Sequence, residues 1–321
     1  MTEEKIEVSA ERKNKNDQNV DGKHMPIMLV ESLELLDLKP GNIVVDCTVN
    51  RGGHSAEFAK RIGASGVLVC IDLDSDALRE AEENINDIFA NNIKNKPSIH
   101  YICSNFANIK NILEELNINK VDAVYADLGI SSQELDISGR GFSFMRDEPL
   151  LMTFKSKITE EDVTAKDIVN SWSQVTIADI LFNFADEKYS RQISKAIAES
   201  RRKKDIETTF ELIDIIKKSV PFYYQKGKSH FATRTFQALR MATNMEIDSV
   251  ITLIQSLKDV LKENGKVGFI TFHSTEDRIV KVNMKETGLT PINKKVIEAT
   301  HEETRHNPRS RSAKLRFYTN N

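Results

Sequence analysis

The sequence predicts an α/β fold: a doubly wound, mostly parallel sheet ending in an antiparallel edge pair, with an all-helical insertion. Three observations predict it. Four short runs rich in Val, Ile and Leu, at 43–45, 66–71, 98–103 and 121–127, alternate with amphipathic helical stretches and short loops. From 159 to 220 the periodicity is helical throughout. Strand-like runs then return at 266–272, 292–297 and 313–318, the last two with no helical pattern between them.

The chain has 321 residues, 40% hydrophobic and 29% charged, with a formal net charge of −3. These values fit a globular protein and exclude a global positive field, so any nucleic-acid surface must be local. Cys47, Cys70 and Cys103 sit in or beside apolar runs without paired spacing, which reads as reduced thiols and no metal site. No apolar run approaches the ~18 residues of a membrane span. The acidic, polar start resembles neither a signal nor a transit peptide. The expected compartment is the cytoplasm.

Residues 1–22 are charged and nearly free of apolar side chains, the pattern of a disordered tail. Pro26 suits a first helical turn; Met25, Leu29, Leu33 and Leu36 share a face, and Lys39-Pro40-Gly41 ends it. The first strand runs into Asp46 and then Asn50-Arg51-Gly52-Gly53-His54-Ser55, a turn with Ser55 as a candidate N-cap. The second strand ends at Asp72, about twenty residues beyond the glycines, where a carboxylate meets a ribose diol in such sheets. Asp74 and Asp76 are candidate caps of the helix that follows. The third strand leads to Ser104-Asn105-Phe106, and the fourth ends at Asp127 before loop-like sequence through 128–136. Helix starts are expected at Thr164, Thr176, Ser190 and Thr208. Ala232 to Arg240 returns the chain to the core, and the helix carrying Ile247, Val250, Ile254, Leu257 and Leu261 is expected to end at Gly265. The domains read as a tail (1–22), a core (23–135 and 231–321) and a helical insert for substrate recognition (136–230).

A parallel sheet ending in an antiparallel pair, with acids closing strands one and two and no Gly-x-Gly-x-x-Gly for a pyrophosphate, favours S-adenosylmethionine over a nicotinamide dinucleotide. Gly52, Gly53 and His54 would then shape the turn around the methionine part, Asp72 would bind the ribose and Phe106 the adenine. Phe106 reads equally as core and Asp127 as a cap. In the functional reading, Asp127 and the Leu128-Gly129 backbone would align an exocyclic amine with the methyl group. Local basic groups include Arg201 to Lys204, a set of Lys226, Lys228, His230, Arg234 and Arg240, and Arg305 to Arg316. Charge runs are usually solvated surface, but flanking one cleft they would contact RNA phosphates.

Several motifs occur in one order: His24-x-Pro26, Arg51-Gly52-Gly53-His54-Ser55, Ile71-Asp72-x-Asp74, Asp127-Leu128-Gly129-Ile130-Ser131-Ser132 and Arg140-Gly141-Phe142-Ser143-Phe144. They continue with Ala232-Thr233-Arg234-Thr235-Phe236-Gln237-Ala238-Leu239-Arg240, Phe272-His273-Ser274-x-Glu276-Asp277-Arg278 and Asn307-Pro308-Arg309-x-Arg311-Ser312. From 24 to 318 the chain resembles the RsmH (MraW) family of 16S ribosomal RNA cytosine-N4 methyltransferases. The resemblance implies a Rossmann-like class I methyltransferase core and S-adenosylmethionine contacts at Gly52, Gly53, His54, Asp72, Phe106 and Asp127. It also implies a decoding-centre cytosine of the small ribosomal subunit as substrate. The family has Pro-Gln where this chain has Gln133-Glu134, so a glutamine contact passes to Gln133 or Glu134. It has Leu-Asp-Met-Arg-Met where Leu150-Leu151-Met152-Thr153-Phe154 stands, losing an acid and an arginine. It has glycine at Asn50 and leucine at Thr275. Asn50 is expected to hold a left-handed turn with weaker donor affinity. Arg140, Arg234, Arg240, His273, Arg309 and Arg311 are the expected RNA contacts, and a homodimer is allowed. The alternative to an active enzyme is a catalytically weak relative that binds donor or rRNA as a subunit assembly factor.

Overall fold

The computed structural model describes residues 26–227 and 229–321, without the side chains of Ser132 and Gln133. The expected tail, His24, Met25 and Lys228 lie outside the described residues. Eight strands form one sheet: β1 (Ile43–Asp46), β2 (Val67–Asp72), β3 (Ser98–Cys103), β4 (Val121–Asp127), β5 (Leu261–Thr271), β6 (Thr290–Pro291), β7 (Ile297–Glu298) and β8 (Lys314–Thr319). Their order is β3-β2-β1-β4-β5-β8-β6, with β7 also on β8. The first five pair in parallel, and β8 pairs antiparallel with β5, β6 and β7.

The period-2 pattern distributes side chains to two cores. Val44 and Tyr125 face one layer with Phe58, Ile62 and Ile85; Val45 and Val124 face the other with Ile109, Ile254 and Leu257. Strand order reverses between β1 and β4, so the crevice at their carboxyl ends is the topological switch point, where open α/β sheets bind ligands.

Between β4 and β5 the chain is helical. Thr164 and Thr208 close full capping boxes with Asp167 and Glu211 at the heads of helices Ala165–Ser171 and Thr209–Ser219. Helices Gln174–Ala185 and Ser190–Arg201 complete a cluster around Ile168, Leu181, Ile193 and Leu212. Helix Thr233–Thr243 puts Phe236, Ala238 and Leu239 into this same cluster.

Several local expectations are corrected. Helix Gly53–Ile62 begins two residues before Ser55, with Gly52 as its cap at φ 77°; the Ser55 hydroxyl instead donates to Asp46 at 2.6 Å. Helix Gln174–Ala185 is capped by Ser173, which accepts the Thr176 N–H, so it starts earlier than expected. Residues Ser132–Asp136 form a helical turn rather than loop. Helix Glu246–Val260 stops without a glycine. Gly265 lies within β5 at a bulge against β4, where a Cβ would meet the Lys262 carbonyl at 2.8 Å. The run 292–297 is not one strand: β6 ends just before it and β7 takes only its last residue, Ile297, and both are two-residue strands on β8. Helix His301–His306, capped by Thr300, intervenes before β8. No described helix is long and apolar enough to cross a membrane.

Candidate active site

A cleft of about 710 Å³ opens at the carboxyl ends of the parallel strands. Thr48 and Asn50 follow β1, Asp72 ends β2, Phe106 follows β3 and Asp127 ends β4; all five line it. Glu134, Phe154, Met241, Glu246 and Glu276 close the walls.

The turn after β1 holds Asn50 at φ 50°, the left-handed region asparagine tolerates, and its N–H donates to Asp72 Oδ2 at 2.8 Å. Asp74 N–H donates to the other Asp72 oxygen at 3.0 Å. Asp74 itself caps helix Ser75–Phe89, which leaves Asp72 facing the cleft. Gly52 and Gly53 do not line the cleft. A Cβ on Gly52 would lie 3.1 Å from Ala81, and one on Gly53 2.6 Å from Pro26. Their small size lets the turn pack against two neighbours.

His54 is buried behind the cleft. Its Nε2 lies 3.1 Å from the Ile27 carbonyl, which can only accept, so Nε2 carries the proton and Nδ1 has a lone pair. Burial lowers the imidazole to a pKa of about 4, so it is neutral. A directed chain follows: Ser32 donates to the Met28 carbonyl (2.7 Å), leaving the Tyr125 hydroxyl to donate to Ser32 (2.8 Å) and to accept from Nε2 (3.2 Å). Nδ1 lies 3.9 Å from Asp127 Oδ2. The other Asp127 oxygen is buried without a partner. The Asp127 N–H donates to Thr48 Oγ1 at 2.6 Å, which fixes the strand end.

The cleft is acidic. Burial raises Asp72 to a pKa of about 6 and Glu134 to about 7, and it pushes Asp127 well up, with Asp46 and Glu276 adding repulsion. Arg240 pairs with both oxygens of Glu246 (2.7 and 2.8 Å) and lies 3.4 Å from Glu276. Burial raises the Glu246 carboxyl despite that pairing. Burial also acts against the Glu276 charge, yet His273 and Arg240 hold that carboxyl below its ordinary value. Among the described residues, no Lys or Arg lies within 4.0 Å of Asp72, Asp127 or Glu134.

The family model for the MraW methylase family matches residues 21–321. The chain belongs to this family. Ribosomal RNA small subunit methyltransferase H of Clostridium botulinum (strain Kyoto / Type A2) is 41% identical over 92% of this chain and 97% of its own length. The protein of the same name from Finegoldia magna is 39% identical with the same coverage. Among solved structures, an rRNA methylase from Streptococcus thermophilus aligns over 93% of this chain and 99% of its own at 9% identity and a TM-score of 0.42. As an MraW methylase with a Rossmann-like sheet, the protein is an S-adenosylmethionine-dependent methyltransferase.

The structure sorts the expected residues of this MraW methylase into four sets. Asp72, Phe106, Asp127 and Glu134 meet in the cleft, while Gly52, Gly53 and His54 support it from behind; the Gln133 side chain lies outside the described ones. Two expected RNA contacts are corrected. Arg140 is directed inward, its guanidinium bonded to Asp74 (2.9 Å) and the Phe154 carbonyl (2.5 Å). Arg240 is the buried partner of two glutamates. The fourth set stays at the surface: Arg234 is exposed, Arg309 pairs with Asp136, and Arg311 lines a second groove with Ser274 and Lys314. His273 borders that groove but is half-buried, its Nδ1 accepting the Glu276 N–H at 3.3 Å and its Nε2 lying 2.7 Å from the Glu276 carboxylate, so the expected RNA contact there is corrected as well. Phe272, another residue of that groove, approaches the cleft at Gly129. Thr48, Glu246 and Phe154 line the cleft without having been expected there. Glu276 had a local signal, since His273-x-x-Glu276 forms a capping box at helix Ser274–Asn283. Glu246 had none.

Proposed function

We propose that this MraW methylase transfers a methyl group from S-adenosylmethionine to the exocyclic amine of a cytosine in small-subunit ribosomal RNA. One observation carries the reading: a cleft at the switch point lined by Asp72, Asp127 and Glu134 without a paired cation, with one Asp127 oxygen buried and unpartnered. Such a wall suits a ligand bearing an ammonium and a sulfonium, and it would repel a pyrophosphate. Asp72 would hold the ribose, Phe106 would pack on the adenine, and the backbone of the Gly52–Gly53 turn would support the methionine part. When bound, the donor supplies a methyl group on a positively charged sulfur, which keeps the C–S electron pair as the new C–N bond forms.

The cytosine amine is a weak nucleophile because its lone pair is delocalised into the ring. Asp127 Oδ1 and the adjoining main-chain carbonyl would accept its N–H bonds and turn that lone pair toward the methyl group. The proton lost from nitrogen passes to Asp127, with His54 Nδ1 behind it as an acceptor. Arg311 and Lys314 would meet the RNA backbone beside the cleft. The protein would act in the cytoplasm, where small subunits assemble.

The test is methyl transfer from labelled donor to small subunits isolated from cells lacking this protein, with the product mapped as N4-methylcytosine. Absence of transfer with intact donor binding refutes the enzyme and favours a donor-binding assembly factor. The sequence at 150–154 motivates that second reading. Where the family carries an acid and an arginine, Leu151 is half-buried and Thr153 is buried beside Phe154 in the wall.

A further inference from the structure

Helix Phe222–Gln225 holds a group of aromatic side chains that the cleft does not use. Phe222 is 72% exposed and its neighbour Tyr223 67%. Adjacent large rings so exposed mark an interaction surface more often than isolated surface apolars do. These rings are held in place. The Tyr223 hydroxyl bonds to that of Tyr189, and the Tyr224 hydroxyl donates to Glu187 Oε2 at 2.7 Å. Glu187 is fully buried, and its other oxygen accepts the Tyr189 N–H at 2.9 Å. Tyr189 and Tyr224 meet edge to face at 4.8 Å. A buried carboxylate thus fixes the aromatic group from beneath, while Phe222 and Tyr223 stay largely exposed.

The surroundings are cationic. Lys188 Nζ lies 5.3, 6.0 and 5.0 Å from the Tyr189, Tyr223 and Tyr224 rings, and Lys226 Nζ 5.4 Å from the Phe222 ring. Asp186, an exposed acid at this face, stands 4.0 Å from Arg278, and Arg234 donates to its carbonyl. The Arg278 contact also locates the surface. Arg278 lies on helix Ser274–Asn283, whose Glu276 and Ile279 line the cleft. One helix therefore carries the cleft wall on one side and reaches the aromatic face on the other.

We propose that Phe222 and Tyr223 form a stacking platform for an unpaired base of the RNA strand whose target base enters the cleft, with Lys188 and Lys226 beside its phosphates. The proposal rests on the reading of RNA as substrate. Every base has a π face, so such a platform tolerates sequence while the cations follow the backbone. Stacking a neighbouring base also offsets part of the cost of extruding the target.

The test compares the full-length protein with Phe222→Ala/Tyr223→Ala and with Phe222→Trp, both at exposed positions. The probes are a labelled unstructured RNA of about twelve nucleotides, the same sequence as a duplex, and undermodified small subunits. The double alanine variant should bind the single strand roughly tenfold to a hundredfold more weakly. Its KM for small subunits should rise in parallel, with kcat and donor affinity unchanged. Phe222→Trp should retain binding, and its added fluorescence should be quenched by the single strand more than by the duplex. Unchanged RNA affinity and KM in the double alanine variant overturn the platform. So does loss of a concentration-dependent dimer with RNA binding intact, which would make this face a contact between copies. If the wild-type protein binds the single strand through these rings yet methylates no small subunit, the enzymatic reading fails and the platform stands.

Discussion

Replacing His54 with asparagine and with glutamine separates what its two ring nitrogens do. The Nε2–H is directed to the Ile27 carbonyl at 3.1 Å, while Nδ1 faces Asp127 Oδ2 at 3.9 Å. An asparagine amide sits near the Nδ1 position and a glutamine amide near Nε2. Hydrogen bonds to charged groups contribute about 1.5–3 kcal/mol, roughly 10- to 150-fold in rate if the bond forms during reaction. Catalytic contacts are often long in unliganded enzymes and tighten in the complex, so 3.9 Å is compatible with that role. His54→Gln should keep the Ile27 anchor and much of the thermal stability, but lower kcat about 10- to 100-fold. His54→Asn should lose stability through the unpaired Ile27 carbonyl and Tyr125 hydroxyl, yet keep more of kcat at a temperature where it is folded. The measurements are single-turnover methyl transfer against pH, calorimetric donor affinity and thermal unfolding. Equal kcat in the two variants, or a wild-type pH–rate profile in His54→Gln, would show that the imidazole only fills space.

Asp127→Asn should reduce kcat by roughly 10²- to 10⁴-fold, with donor affinity within a few-fold, as read by methyl transfer and calorimetry. Arg240→Ala leaves Glu246 and Glu276 buried without their cation and should cost about 3–5 kcal/mol of stability in denaturant unfolding. A variant with normal stability and a reduced salt dependence of RNA binding would restore Arg240 as a phosphate contact. Asn50→Gly should change stability by less than about 1 kcal/mol, because φ 50° suits both residues and the bond to Asp72 comes from the backbone. Donor affinity should stay within about threefold, and a larger gain by titration would give the Asn50 side chain a part in the pocket.

Local patterns were legible where the physics is local. The alternation in β4 sends Tyr125 and Val124 to opposite cores, and the Thr164 and Thr208 capping boxes need only three residues of spacing. The cleft acids Asp72 and Asp127 were legible because strand ends at a switch point are defined by topology. The arginines were not. Arg140 meets Asp74 and Arg240 meets Glu276 only after the helical segment folds against the sheet, and nothing in the neighbouring sequence marks either charge as buried. Gly265 failed as a helix terminator for a related reason: its requirement comes from the Lys262 carbonyl in a bulge that pairing with β4 creates. Ser55 looked like a cap because its long-range partner, Asp46, was invisible.

The acids of the cleft also tie donor binding to protons. Burial raises Asp72 to a pKa of about 6 and Glu134 to about 7. The empty folded protein therefore binds more protons than the unfolded chain in the window between ordinary carboxylate values and about 7. The sign follows: these groups favour folding below about pH 4, and that contribution is lost as pH rises through about 6 to 7. A cation entering the cleft replaces those protons. Donor affinity should accordingly tighten by about tenfold or more between roughly pH 5.5 and 8. The demethylated product has a neutral sulfur, so its affinity should vary much less over the same interval. Transfer of the methyl group would then weaken the electrostatic hold on the spent molecule and aid its release at neutral pH. Calorimetry in buffers of different ionisation enthalpy counts the protons directly: donor binding near pH 6 should release them in larger number than product binding. Equal proton release for donor and product would mean that the carboxylates do not respond to the sulfur charge, and the electrostatic account of this pocket would have to be abandoned.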